Sequence, residues 1–275
     1  MTRTSSTRCL LAAALILFGI AAAACGDNGA PKVDPMLQAA NDAYSQGLYL
    51  EAETAYERYL QDRPQGTSRE LAWTRLLEIA QDVKDDPVKA ASLLEAMVLE
   101  FGRDETKAFR MLSSLGGLYA RQGDTAKALH SWERALELGV DDPDGVAHIY
   151  LQMARLYRRK GQYDLLAEVL LDGSTTATTP SLRAKCLYEL AQAFSINQNW
   201  PQVIKYLGQI MTMKDVDEEQ HSLAVYLLAE AYEHEHHIAK ARELLQSIRE
   251  TYPNPLVIEA RLKGLPPDEN ATSNQ

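Results

Sequence analysis

Small and apolar residues recur along this chain in one spacing, repeated about every 38 residues. It is plainest at Leu115, Gly116, Tyr119, Gly123, Ala128, Trp132 and Ala135, which reads L-G-x2-Y-x3-G-x4-A-x3-W-x2-A. Intervals of three and four put such residues on one face of a helix, and the break around Gly123 marks a turn between two helices. The same places are filled by Ala40, Ala43, Gly47, Tyr49, Ala52, Tyr56 and Pro64, and again by Met153, Ala154, Tyr157, Gly161, Tyr163 and Leu166. They recur as Leu190, Ala191, Phe194, Trp200, Val203 and Leu207, and as Leu228, Ala229, Tyr232, Ile238, Ala241, Leu245 and Pro253. A further copy, with Leu77, Ala80, Ala90, Leu94 and Met97, keeps less of the pattern; its turn, Asp85-Asp86-Pro87, offers an N-cap and then proline at the first helical position.

Positions 52, 90, 128, 166, 203 and 241 head the second helix of each pair and lie 38, 38, 38, 37 and 38 apart. In five copies the small first-helix residue stands twelve positions earlier, as in Ala40 to Ala52 and Gly116 to Ala128. Small residues at Gly116, Ala154, Ala191 and Ala229 let paired helices approach, while Tyr56, Trp132, Leu170, Leu207 and Leu245 fill the space between neighbours. A single pair cannot bury its apolar face alone, so stability must come from stacking.

The pattern resembles the tetratricopeptide repeat. That resemblance implies an all-α fold, an α-solenoid of about six helical hairpins over residues 35–264 with a C-terminal capping helix. The hairpins fall at 35–66, 67–102, 104–140, 143–173, 180–214 and 216–253, and the cap at 254–264. The family's repeat is usually 34 residues. The constant interval inside the hairpin puts the surplus between hairpins, near 102–105, 140–145, the Thr-rich 173–180 and 213–219. Family register also implies that first helices line a partner-binding groove with Asn41 and Tyr44, then Arg110, Ser113 and Arg121, then Leu151, Arg155 and Arg158, then Tyr188 and Gln192, then Tyr226 and Glu230. Arg110, Arg121, Arg155 and Arg158 would project from adjacent helices, either to hold a partner or as solvated residues paired with nearby carboxylates. Leu37 and Leu76 stand where relatives that clamp a C-terminal carboxylate need polar residues.

The N-terminus is of another kind. Arg3 and Arg8 precede an apolar run from Cys9 to Ala24 that is shorter than the roughly 20 residues a spanning helix needs. It closes on Ala22-Ala23-Ala24-Cys25. Residues 1–24 therefore read as a secretory leader. The junction resembles the bacterial lipobox, although Ala22 stands where leucine is preferred; the resemblance implies acylation at Cys25 and a flexible linker over 25–34. Ordinary cleavage after Ala24, leaving a plain thiol, is the alternative. Cys186 is then the one remaining cysteine, and no intrachain disulfide is expected. The segment 265–275 is polar and reads as a disordered tail.

Charge narrows the function. Twenty-eight Lys and Arg against 38 Asp and Glu give −10, and loss of Arg3 and Arg8 with the leader makes this −12. A balance this acidic argues against a nucleic-acid partner and against attachment to anionic lipid through a polybasic face. The chain lacks G-x-S-x-G, P-loop and CxxC motifs. Asp141-Asp142-Pro143-Asp144-Gly145 lacks the oxygen alternation of a calcium loop and reads as a helix start. His234, His236 and His237 are the one cluster suggesting chemistry, either a metal-handling or catalytic site or a solvated turn. With Ile238 where a second histidine belongs, H-E-x-x-H is not completed. No cofactor is expected. The leading expectation is a non-enzymatic scaffold that binds a protein or extended peptide. It would be tethered through Cys25 in the cell envelope, facing the periplasm on the outer membrane. It resembles repeat lipoproteins of outer-membrane protein assembly, pilus biogenesis or cell-wall enzyme complexes. A spacer without a groove ligand is a further alternative.

Overall fold

Most helix starts follow from local chemistry. Aspartate precedes six helices and accepts a backbone N–H of the first turn: Asp34 from Met36 (2.9 Å), Asp86 from Lys89 (2.9 Å), Asp104 from Lys107 (3.1 Å), Asp124 from Lys127 (3.1 Å), Asp142 from Gly145 (2.9 Å) and Asp217 from Gln220 (3.3 Å). Pro35, Pro87, Pro143, Pro180 and Pro255 open helices where a missing N–H costs nothing. The computed structural model describes residues 34–138 and 141–267. Within them lie thirteen α-helices and no strand. They are α1 (Pro35–Ser45), α2 (Tyr49–Asp62), α3 (Arg69–Glu78), α4 (Pro87–Phe101), α5 (Glu105–Gln122), α6 (Thr125–Glu137) and α7 (Pro143–Arg159). Then come α8 (Tyr163–Thr176), α9 (Pro180–Ile196), α10 (Trp200–Met211), α11 (Glu218–His234), α12 (Ile238–Ser247) and α13 (Pro255–Gly264). The leader, Cys25 and residues 268–275 of the tail lie outside the described residues. Among those described, no helix is long and apolar enough to cross a membrane.

The described residues divide into two compact units, one up to Arg75 and one from Leu76 onward. In the first, α1 and α2 form a hairpin closed by Ala40, Ala52 and Tyr56, all fully buried. Asp34 and Arg63 tie its ends together at 2.7 Å.

In the second unit helices pack almost entirely on their chain neighbours or on the helix one hairpin away. Every hairpin keeps the expected small contact. Gly116 has no room for a side chain, because a Cβ would collide with the indole of Trp132, whose Nε1 donates to the Ser113 carbonyl at 3.1 Å. Ala154, Ala191, Ala229, Ala128 and Ala241 are buried, as are Leu166, Leu170, Val203, Leu207 and Leu245. At Gly173 a Cβ would lie 3.2 Å from Cys186 Sγ and 3.3 Å from Tyr150 Cβ, so helices cross there closely. Tyr119 reaches back to Glu95 of α4 at 2.5 Å.

One backbone device recurs in all six hairpins. Five residues before each second-helix anchor stands a residue in the left-handed region: Gly47 (φ 75°), Asp85 (47°), Gly123 (82°), Gly161 (69°), Gln198 (55°) and His236 (61°). Glycine enters this region without cost and other residues do not.

Several expectations are revised. The residues gained relative to a shorter repeat enter helices as well as turns: α5 has 18 residues, α7, α9 and α11 have 17 each, and α8 continues to Thr176. The Thr-rich stretch therefore begins inside a helix, where Ser174 and Thr175 hydroxyls donate to the carbonyls of Leu171 (2.8 Å) and Asp172 (2.9 Å). In the second hairpin the helix after Glu78 widens into a π-helical turn, Ile79–Val83. The buried stripe is Ala72, Leu76, Ile79 and Ala80, and Leu77 is only partly covered. Past the cap, Leu265 inserts into the terminal core with Ile258, Ile248 and Leu245, and Pro266 accepts from Arg242 (2.8 Å).

Candidate functional site

Hairpin geometry turns one face of each first helix away from its partner helix, and it is there that polar and aromatic residues stay accessible. On α9 the stripe Lys185, Tyr188 and Gln192 recurs at helical spacing, with Lys185 exposed and the other two half-buried. Burial pushes the Tyr188 phenol above its ordinary range, with Gln192 beside it acting the other way; Tyr252, Glu189 and Glu230 stand close enough to act on it. On α11 the Tyr226 ring lies 5.1 Å from that of Tyr252, tilted by 31°. Tyr188, Tyr226 and Tyr252 thus form an aromatic shelf.

Beside this shelf α7 and α9 are joined by an ion pair, Arg158 Nη2 to Glu189 Oε2 at 3.0 Å, with side-chain exposures of 34% and 12%. The Nε of Arg158 is enclosed and meets no acceptor among the described residues. Arg155, one turn back, is exposed and, among the described residues, held only by Gln152 at 3.4 Å.

The expected arginine group does not converge. Arg110 and Arg121 sit eleven residues apart on α5, about 16 Å at 1.5 Å per residue. Arg110 is tied to its own helix through the Thr106 carbonyl (3.4 Å). Arg121 borders a cleft of about 240 Å³ lined by Gln81, Asp85, Pro87, Leu118 and Gln122. Only Arg155 and Arg158 share a strip with Tyr188, Gln192 and Tyr226. Leu151, expected in the groove, is buried at 2% exposure, because an apolar side chain at that register turns into the stack. In the separate first unit Asn41 accepts from the Tyr56 hydroxyl at 2.7 Å. There Tyr44 meets Tyr49 and Tyr56 edge-on and carries the Arg75 guanidinium 4.6 Å above its ring.

Three residues of the strip escaped the sequence reading. Lys185 occupies the register of Arg110, so sliding that position along would have found it. Glu189 adjoins Tyr188. Tyr252 comes from the turn after α12, outside any first-helix register.

The histidines take other roles. His234 stacks on Trp200, centroids 4.0 Å apart and planes 4° from parallel. His236 is the left-handed turn residue and His237 the residue before α12, its ring edge-on to Tyr232 at 6.0 Å. Among the described residues no three His, Cys, Asp or Glu side chains are grouped to hold a metal ion. Asp142 caps α7, and Asp144 accepts from the amides and hydroxyls of Thr178 (2.7 and 2.9 Å) and Thr179. The Thr179 hydroxyl first, and then the Thr178 amide, hold the Asp144 carboxyl down at about 2. This aspartate is a strut between hairpins. Cys186 is buried, and desolvation pushes its thiol up to about 12, away from nucleophilic use.

With this geometry in view, comparison with known proteins is informative. The family model of the tetratricopeptide repeat matches residues 107–165. No curated protein sequence matches the chain. Similar solved structures include BtubC from P. vanneervenii, with 16% identity over 86% of this chain and 95% of that one and a TM-score of 0.55. The C-terminal part of a TPR repeat-containing protein from Cytophaga hutchinsonii gives 16% identity, 78% of both chains and a TM-score of 0.57. YrrB, described as a TPR protein with an unusual peptide-binding site, gives 12% identity, 76% of this chain and 99% of that one, and a TM-score of 0.52. Residues 107–165 match the tetratricopeptide-repeat model, and the described chain has an all-α fold of stacked helical hairpins like that of solved tetratricopeptide-repeat structures.

Proposed function

We propose that this protein is a non-catalytic scaffold of the cell envelope, acylated at Cys25 after removal of residues 1–24. In this reading it faces the periplasm from the outer membrane and holds an extended peptide or partner protein for envelope assembly. The observation that carries the binding role is the face of α7, α9 and α11. There Arg155, Tyr188, Gln192 and Tyr226 stay partly or fully accessible while the buried faces of the same helices are spent on stacking. Tyrosine and arginine are the residue types that dominate interface energies. The similarity to YrrB supports the same reading, since that protein has a peptide-binding site. The Ala22-Ala23-Ala24-Cys25 junction supports the tether, because two or more acyl chains hold a protein at a bilayer where one does not.

Two experiments test this. Crosslinked partners recovered with the wild type should be lost from a variant carrying Tyr188→Ala, Tyr226→Ala and Arg155→Glu; identical recovery from both would refute the assignment of the face. Cys25→Ala should move the protein from the membrane to the soluble fraction, and unchanged sedimentation with membranes would refute the tether.

A further inference from the structure

We propose that the strip over α7, α9 and α11 takes an acidic peptide segment followed by an aromatic or long apolar side chain. The carboxylates would seat between Arg155 and Lys185, and the apolar group on the shelf of Tyr188, Tyr226 and Tyr252. The inference rests on the reading of this face as the partner face and names the chemistry of the partner.

The charge distribution carries it. In a chain of net charge −10, α7 and α9 together hold five basic residues, Arg155, Arg158, Arg159, Arg183 and Lys185, against two acidic ones, Asp144 and Glu189. The second helix between them, α8, holds Asp164, Glu168 and Asp172 and no Lys or Arg. Positive charge is thus gathered on α7 and α9 and negative charge on α8, while α11, at the other end of the strip, carries Glu218, Glu219, Glu230 and Glu233 and no Lys or Arg. Both acidic residues of α7 and α9 are engaged, Asp144 by Thr178 and Thr179 and Glu189 by Arg158. The basic side chains beside them keep the excess.

Register places the carboxylate seat. The Arg158 to Glu189 pair fixes which turns of α7 and α9 lie level. Both helices run the same way, so moving one turn back on each sets Arg155 against Lys185, and both are exposed. A carboxylate between them meets a guanidinium fork and an ammonium and competes only with the long 3.4 Å bond from Arg155 to Gln152. One turn forward on α9 stands Tyr188, with Tyr252 and Tyr226 beyond it. Glu230 next to this shelf repels a second carboxylate there, which orders the ligand as acid first and apolar group second.

The test is selection from a displayed library of random peptides against the full chain. One selected peptide is then synthesised with a fluorescent label, and its affinity is measured by anisotropy. The selected peptides should be rich in Asp and Glu with a nearby Phe, Tyr, Trp or Leu, and binding should weaken as salt is raised. Arg155→Glu with Lys185→Glu should cost about tenfold or more in affinity. Arg155→Lys with Lys185→Arg should retain it, and Lys205→Glu on α10 should leave it unchanged. Circular dichroism confirms that the exposed substitutions leave the helices intact. Neutral or basic selected peptides, or acidic ones indifferent to the double reversal, would overturn this inference while leaving a peptide-binding face. Failure to select any peptide would overturn both readings.

Discussion

Gly116 gives the sharpest test of how the stack is held. Gly116→Ala should gain about 1 kcal/mol of helix propensity, since glycine in a helix interior is poorer than alanine by that amount. Here, however, the new methyl has nowhere to go, because the Trp132 indole occupies its place and is itself 1% exposed. Overpacking of this kind costs about 1–3 kcal/mol. Turning the ring aside would also break its 3.1 Å bond to the Ser113 carbonyl, worth about 1 kcal/mol or more when buried. The net expectation is a loss of about 2 kcal/mol. Gly117, its neighbour on the same helix, meets only Arg121 Nη1 at 4.0 Å, and Gly208 on α10 meets nothing within 4 Å. Alanine at either should stabilise by about 1 kcal/mol. Urea unfolding followed by circular dichroism and tryptophan fluorescence reads these differences as shifts of midpoint in opposite directions. Replacing Trp132 by leucine should abolish most of the Gly116→Ala penalty in a double-mutant cycle. Equal shifts for the alanines at 116 and 117 would refute the close-approach argument.

Further tests address other parts of the fold. Because the Asp144 carboxyl lies below its ordinary 3.8, at about 2, its contribution is complete above that ordinary value and is lost as pH falls through about 2; the stability advantage of wild type over Asp144→Asn, from urea midpoints, should be present near neutral pH and vanish in strong acid. His236→Gly and Gln198→Gly should each stabilise by about 1 kcal/mol by relieving left-handed strain, and Gly123→Ala should destabilise by a similar amount, all measurable in thermal melts. Site-resolved mass spectrometry after iodoacetamide at mildly alkaline pH should find Cys186 unmodified in the folded protein and modified in urea.

The hairpins were legible in the sequence because close approach of two helices admits only small residues at fixed positions, and Gly116, Ala154, Ala191 and Ala229 carry that signal directly. The second hairpin was less legible for a physical reason. Counting at 3.6 residues per turn assumes a uniform helix, and the π-helical turn at Ile79–Val83 breaks the count, moving burial from Leu77 to Leu76 and Ile79. The groove was legible only in part. Register carries position but not orientation, so Leu151 at the place of Ser113 and Tyr188 turned inward. Tyr252 reaches the shelf from a loop that no first-helix register covers. The histidines show the converse: nearness along the chain became a ring stack, a left-handed turn and a position before a helix, with no shared center.

The packing of α5 to α13 on chain neighbours and on the helix one hairpin away has a mechanical consequence. Tension applied along such a chain is borne by one interface at a time, so extension proceeds in increments. Each released hairpin frees a contour on the order of 100 Å, set by its 37 or 38 residues. Such a molecule would absorb strain by paying out length and would recover by rewinding onto whichever part stayed folded.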